Sequence, residues 1–327
     1  MKNVFYKENK TTKELAYKIE ALNVAYKTLE PSIETIRDLL RKSLLKSALY
    51  SARIEGNPLS LSEVNEKFSK NDSQNFHQKE VSNLLSAYLF INSKNSPKFF
   101  SKEIILKLHQ FIMRDISFQA GNFRKEHSAI FNQAGIAVYL APSPKVIDSL
   151  IDELILFANQ KSVPVLIKSA VTQFSFEKIH PFIDGNGRVG RLISAYILSK
   201  AGYAYLSSSL EEYINENKTL YYEALEPAKN ANVFIEFYLR ALLETAKKNF
   251  SKITESNNKT ENIGLLPRRN EILLIIKDHP GCSFDFISRR FGNVNPKTLH
   301  YDIGQLLKKG LIFKIGKTRG ALYQAKE

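Results

Sequence analysis

One twelve-residue stretch constrains this chain more than any other: His180-Pro181-Phe182-Ile183-Asp184-Gly185-Asn186-Gly187-Arg188-Val189-Gly190-Arg191. Helical periodicity precedes it and follows it, yet no single helix can run through it. Pro181 disfavours helical backbone at His180, so an amphipathic helix is expected to end near Lys178. A new helix is expected near Arg188, with Leu192, Ile193, Tyr196 and Ile197 on its buried stripe. Gly185-Asn186-Gly187 thus leads directly into a helix N-terminus. Glycines there let the backbone take positive φ and approach a ligand closely, and backbone N–H groups with the helix dipole form an anion-binding nest.

The side chains around that nest point to polyphosphate chemistry. Arg188 and Arg191 are three apart and share a face of the first turn, which suits forked hydrogen bonds to several phosphate oxygens. Asp184 precedes the nest, and one carboxylate with phosphate oxygens and waters is a common way to hold Mg²⁺. His180 at the mouth of the loop can take a proton from an incoming hydroxyl near neutral pH. Asp-Gly and Asn-Gly are also hairpin-turn signals. The flanks, however, repeat with the helical rather than the alternating period.

The rest of the first 250 residues reads mainly as helices. Ile33, Ile36, Leu40 and Leu44 recur at helical steps within 32–53, and Val81, Leu84, Leu85, Tyr88 and Leu89 do so in the next segment. Ser101 with Glu103 is expected to cap a further helix. Other helical patterns cover 144–159, 164–176, 188–201 and 231–250. Residues 121–144 break the period and predict a β-hairpin around Asn132-Gln133-Ala134-Gly135. The polar stretch after Lys252 predicts a linker over 253–266, followed by a compact unit over 267–327 with three helices and a small hairpin. The expected division is therefore 1–100, a helical region; 101–252, the unit with the nest; the linker; and 267–327.

Composition narrows the function classes. One Cys, Cys282, excludes an internal disulfide framework and a Cys-rich zinc site, and suits a reducing cytosol. No apolar run reaches a membrane span of ~18 residues, and 1–20 lacks the apolar region of a secretory leader. A cytoplasmic protein without a membrane partner is expected. The formal net charge of +14 fits nucleic acid, nucleotide or an acidic partner, or simply a Lys-rich surface.

The segment 180–191 resembles the signature of the Fic (Fic/Doc) family, HPFx[D/E]GNGRxxR, at all nine specified positions. The resemblance covers roughly residues 30–249. It implies a helical core with a hairpin flap, and transfer of AMP from ATP, with Mg²⁺, to a Ser, Thr or Tyr hydroxyl of a target protein. His180 would be the base and Asp184 the Mg²⁺ ligand. The nucleotide would lie along Gly185, Asn186, Gly187, Arg188, Val189, Gly190 and Arg191, with Arg188 at the β-phosphate and Arg191 at the γ-phosphate. Phosphorylating relatives carry Lys where this chain has Gly187, which favours AMP transfer.

Ser51-Ala52-Arg53-Ile54-Glu55-Gly56 resembles the family's inhibitory motif, [S/T]xxxE[G/N]. By that likeness Ser51 and Glu55 lie on an N-terminal inhibitory helix, and Glu55 withholds Arg191 from the γ-phosphate. The hairpin over 121–144 would be the flap that pairs with an extended target segment. Asn217 would meet the adenine, with Tyr221 or Tyr222 nearby.

From Pro267 to Glu327 there are twelve Lys and Arg against five Asp and Glu, so +7 of the net charge sits in under a fifth of the chain. This unit resembles a winged helix, with Lys297, Thr298, His300 and Tyr301 on its third helix and Lys314, Lys317 and Arg319 on the wing. Its expected partner is DNA or a docking protein. The fold class is therefore mainly α: a helical core with a flap, then a small winged-helix domain. Alternatives to AMP transfer are a DNA-binding regulator with a nucleotide sensor, or an enzyme that removes AMP or moves another phosphate-linked group. A homo-oligomer remains open.

Overall fold

The computed structural model describes residues 6–29, 33–67, 75–131, 137–226, 230–261, 265–292, 294–316 and 320–326. The tip of the expected flap (132–136) and the wing residues Lys317 and Arg319 lie outside them. Contacts divide the chain into two units, Met1–Lys252 and Ile253–Glu327. No helix among the described residues is long and apolar enough to cross a membrane.

The first unit runs α1 (Lys10–Thr28), α2 (Ile33–Ile54), α3 (Leu61–Lys67), α4 (Phe76–Ile91), α5 (Lys102–Met113), β1 (Ala129–Phe131), β2 (Ala137–Leu140), α6 (Ile147–Ala158), α7 (Val165–Ile179), α8 (Asn186–Lys200), α9 (Leu210–Glu216) and α10 (Lys218–Leu225), and α11 (Asn232–Glu261) follows. Asn9 and Asn75 start α1 and α4 with reciprocal capping boxes. Ser101 occupies the N-cap of α5 but makes no side-chain capping bond.

Two apolar clusters flank α7 and α8. One joins α2, α4, α5, α6 and α8 through Leu49, Leu84, Ile105, Ile151 and Leu192. The other joins α7, α9, α10 and α11 through Phe174, Ile214, Tyr221 and Phe234. The expectation of an amphipathic helix before the loop is corrected here: α7 buries Leu166 to Ile179 on every face except Lys168. A helix packed on all sides carries no stripe to read.

β1 and β2 pair antiparallel, Ala129 opposite Leu140 and Phe131 opposite Ala137, with an irregularity between Ile130 and Phe131. The expected hairpin is therefore present, shorter than 121–144.

The expected linker is also corrected. α11 continues as helix to Glu261, through most of 253–266. No Pro or Gly occurs between Asn232 and Ile263, so a polar composition alone does not stop the helix.

The second unit contains α12 (Pro267–Asp278), β3 (Cys282–Ser283), α13 (Phe284–Ser288), α14 (Pro296–Lys308), β4 (Ile312–Ile315) and β5 (Leu322–Ala325). Its antiparallel sheet has the order β3-β5-β4, a winged-helix arrangement whose first, two-residue strand the sequence did not suggest. Asn295 caps α14 by accepting from the Lys297 N–H. Arg268 and Arg269 donate to the buried Asp302 at 2.5 and 2.7 Å, fastening α12 to α14. Lys297, His300 and Tyr301 stay exposed on α14, and the His300 ring stacks on Phe284 at 3.7 Å.

A buried amide closes the first unit near its end. Asn249 on α11 donates to the carbonyls of Tyr205 and Ser208 at 3.0 and 2.8 Å, and its own carbonyl accepts from Tyr205 Oη. Asn249→Ala strips these buried carbonyls of their donor, and should lower stability by about 2–3 kcal/mol in denaturant titrations of the full chain.

Candidate active site

The loop between α7 and α8 is built by groups from four other segments. His180 closes α7 in the left-handed region, φ 49°, and its N–H donates to Phe176 O. That conformation is uncommon for a residue with a side chain. Arg124 holds it: its Nε donates to His180 O at 2.8 Å, and its backbone N–H donates to Pro181 O at 2.9 Å. The remaining guanidinium nitrogens donate to Glu126 O and Pro142 O, so one side chain joins the loop to both ends of the hairpin.

Phe182 is fully buried beneath the loop. Asn186 binds its backbone twice, accepting from its N–H at 2.9 Å and donating to its carbonyl at 2.8 Å. His109 on α5 stacks on the Phe182 ring at 3.7 Å. His109 Nδ1 accepts from Gly121 N–H, so the proton sits on Nε2, which donates to Asp184 O at 3.1 Å. Burial pushes the His109 imidazole down to about 4, which keeps that neutral tautomer in place.

Gly185 has φ 82°, and α8 starts at Asn186. The first amides of α8 have no acceptor within the helix, as at any helix N-terminus. His180 is mostly buried. Burial, reinforced by Arg124, pushes its imidazole below the usual value, so at neutral pH it is a free base. Asp184 is 71% exposed at the loop mouth, and its Oδ1 takes the Gly185 N–H at 2.6 Å and Arg188 Nη2 at 2.9 Å.

The two arginines differ. Arg191 is 1% exposed. Its Nε donates to Ser51 Oγ, and its Nη2 donates to Ser51 O and, at 2.8 Å, to Glu55 Oε1. Burial alone pulls the Arg191 guanidinium down, but Glu55, with Tyr221 and Tyr222, holds it above the ordinary arginine value. Glu55 is 32% exposed, so only the carboxylate of this pair faces water. Gly187 makes the approach possible: a Cβ there would stand 2.5 Å from Glu55 Oε1. Arg188 is buried between Glu80 on α4 and Asp184.

The structure thus brings together His180, Asp184, Gly185, Gly187, Arg188, Arg191, Ser51 and Glu55. The Val189 side chain is fully buried in the apolar cluster, and its N–H bonds to Gly185 O. The Asn186 side chain is used inside the loop, on the Phe182 backbone. Asn217 sits at the α9–α10 junction, where its amide donates to Tyr213 O. Tyr221 is core, receiving a hydrogen bond from Gln173, whereas Tyr222 Oη reaches Ile54 O at the end of α2.

Sequence reading missed Arg124, His109, Glu80 and Glu177. None belongs to the short motifs, and only the break in period at 121 marked Arg124's neighbourhood. Glu177, three residues before His180, is buried with Oε1 lacking a hydrogen-bond partner. A Cβ on Gly190 would collide with that oxygen, so the glycine leaves room for Glu177. Burial, with Glu55 adding and Arg191 and Lys178 opposing, raises the Glu177 carboxyl from 4.5 to about 7.

The comparisons agree with this architecture. Residues 99–198 match the model of the Fic/DOC family. A probable protein adenylyltransferase of Aquifex aeolicus is 28% identical over 191 residues, covering 58% of this chain and 55% of that protein. The protein adenylyltransferase Fic of Aedes aegypti is 24% identical over 210 residues, covering 60% of this chain and 40% of its own length. This chain thus matches about half the length of these relatives. A Fic family protein from Desulfovibrio desulfuricans superposes with a TM-score of 0.68 at 21% identity, over 98% of this chain and 97% of that one. A Fic domain containing signaling protein from Bacteroides thetaiotaomicron gives 0.60 at 19% identity, over 75% and 97%. The fold is that of the Fic/Doc family, with adenylyltransferases among its distant relatives.

The Glu177 carboxyl makes stability pH-dependent. Its folded value is raised, so its contribution is complete below 4.5 and is lost as pH rises through about 7. Glu177→Gln, which cannot ionise, should gain on the order of 3 kcal/mol relative to the native chain between pH 4.5 and pH 8. Denaturant titrations at both pH values test this; a constant difference contradicts it.

Proposed function

We propose that this protein is an adenylyltransferase that moves AMP from ATP to Ser, Thr or Tyr hydroxyls of target proteins, and that Glu55 restrains it. The observation that carries the reading is the juxtaposition of His180, the helix N-terminus after Gly185 and the Ser51–Glu55 hold on Arg191 at a single loop.

In this reading the triphosphate lies along the first turn of α8, on the amides after Gly185. The target hydroxyl attacks the α-phosphorus in line. Its oxygen forms the new P–O bond as the bond to pyrophosphate breaks, and His180 takes the hydroxyl proton. Arg191 takes the γ-phosphate once Glu55 releases it, which sets the α-phosphorus in line with the hydroxyl. An extended target segment would pair with the β1–β2 hairpin, which Arg124 fixes relative to His180.

Among the described residues no cluster of three or more His, Cys, Asp or Glu could hold a metal. Mg²⁺ fits nonetheless, because it needs only one or two carboxylates when substrate phosphates complete its shell, and Asp184 offers an exposed, oriented carboxylate. Asp184 would hold it, and when bound it would neutralise phosphate charge. The DNA-or-protein partner of the winged-helix unit is a separate proposal, resting on the exposed Lys297, His300 and Tyr301.

The test uses α-labelled ATP with purified protein and a cell lysate. Glu55→Gly should raise protein labelling tenfold or more, since a coupling of ~1.4 kcal/mol already corresponds to that factor. Glu55→Gly combined with His180→Ala should label nothing. Equal labelling by the two variants contradicts the role of His180, and loss of label already present on a target would mark AMP removal instead.

A further inference from the structure

Arg188 is expected at a phosphate, yet its guanidinium is buried and faces two carboxylates. One nitrogen pairs with Glu80 and the other donates to Asp184 Oδ1 at 2.9 Å. Glu80 is itself buried on α4, and both of its oxygens are used. Oε1 pairs with Arg188, and Oε2 accepts from Asn57 Nδ2 at 2.8 Å. Asn57 is buried two residues after Glu55; its Oδ1 accepts from Leu59 N–H, and its Nδ2 also donates to His77 O. Every polar atom of the Asn57 side chain is therefore committed to holding Glu80 and its own turn.

A buried carboxylate is retained at a cost in desolvation unless its partner needs it. Arg188 without Glu80 would be a buried cation balanced by Asp184 alone. Asp184 would then be a neutralised partner in an ion pair, a poor ligand for a divalent cation. With Glu80 present, the cluster of Glu80, Arg188 and Asp184 carries a net charge of −1 at the loop mouth. Asp184 Oδ1 is also pinned by Arg188 and by the Gly185 N–H.

We infer that Glu80 is a positioning residue for the cation-binding carboxylate: through Arg188 it orients Asp184 and leaves it a negative charge to offer, and through Asn57 it ties that carboxylate to the turn behind Glu55. The inference rests on the nucleotide-transfer reading, because a cation at Asp184 needs phosphate oxygens beside it. Arg188 thereby acts mainly on Asp184, and the elements that carry the inhibitory motif also support the cation site.

The experiment measures ATP affinity by calorimetry, with Mg²⁺ and with EDTA, in the Glu55→Gly protein and in the same protein carrying Glu80→Gln. Mg²⁺ should tighten ATP binding in the parent. In Glu80→Gln that tightening should shrink about fivefold or more, because a unit charge is removed near a divalent cation. Affinity in EDTA should be unchanged or higher, since a carboxylate that repels phosphate is gone. Should Glu80→Gln fail to fold, Asn57→Ala loosens Glu80 without removing it, and should shrink the tightening about twofold. Equal tightening by Mg²⁺ in parent and variant overturns the role of Glu80 and leaves the transfer reading intact. Absence of ATP binding in the parent overturns both.

Discussion

The buried guanidinium of Arg191 is the group around which the loop, α2 and α8 are arranged. A cation at 1% exposure must be compensated, because breaking a buried pair leaves an uncompensated charge of several kcal/mol. Ser51 compensates it by accepting two of its hydrogen bonds, one at its hydroxyl oxygen and one at its carbonyl. Glu55 supplies the charge, and it does so from a position a third exposed at the end of α2. The asymmetry leaves Arg191 enclosed while its carboxylate partner faces water. In the proposed transfer reading a γ-phosphate takes the place of that carboxylate, beside a helix N-terminus that favours anions. Gly187 belongs to the same arrangement, since any side chain there would occupy the space of the Glu55 carboxylate.

The loop is rigid for identifiable reasons. His180 holds a left-handed backbone conformation because Arg124 and Phe176 bind its peptide groups on both sides. Phe182 is clamped by the Asn186 side chain and stacked on a neutral His109. Each of these contacts lies beneath or beside the loop, so the groups that face outward are fixed by groups that do not. Arg124 extends the same fixation to the segments that flank the hairpin.

The motif residues were legible in the sequence because their chemistry is local. A Pro, three glycines, a carboxylate, an imidazole and two arginines within twelve residues specify a turn into a helix N-terminus whatever surrounds them. Ser51 and Glu55 were legible only through a resemblance, and their bonds to Arg191 span about 140 residues of chain. The supports were not legible. Glu80, His109, Arg124 and Glu177 lie in ordinary helices or loops, and what they touch is decided by packing. α7 illustrates the same limit for the fold: a helix buried on all sides has no stripe, so its apolar run told of burial but not of direction. The polar run at the end of α11 misled for the opposite reason, since polar residues without Gly or Pro continue a helix as readily as they form a linker.

The most direct measurement compares the affinities of ATP, ADP and AMP for the native chain and for Glu55→Gly. If Glu55 and the γ-phosphate compete for Arg191, the substitution should tighten ATP about tenfold, equivalent to ~1.4 kcal/mol, while ADP and AMP change by less than about twofold. A Glu55→Gly protein that binds all three nucleotides with unchanged relative affinities would contradict that competition.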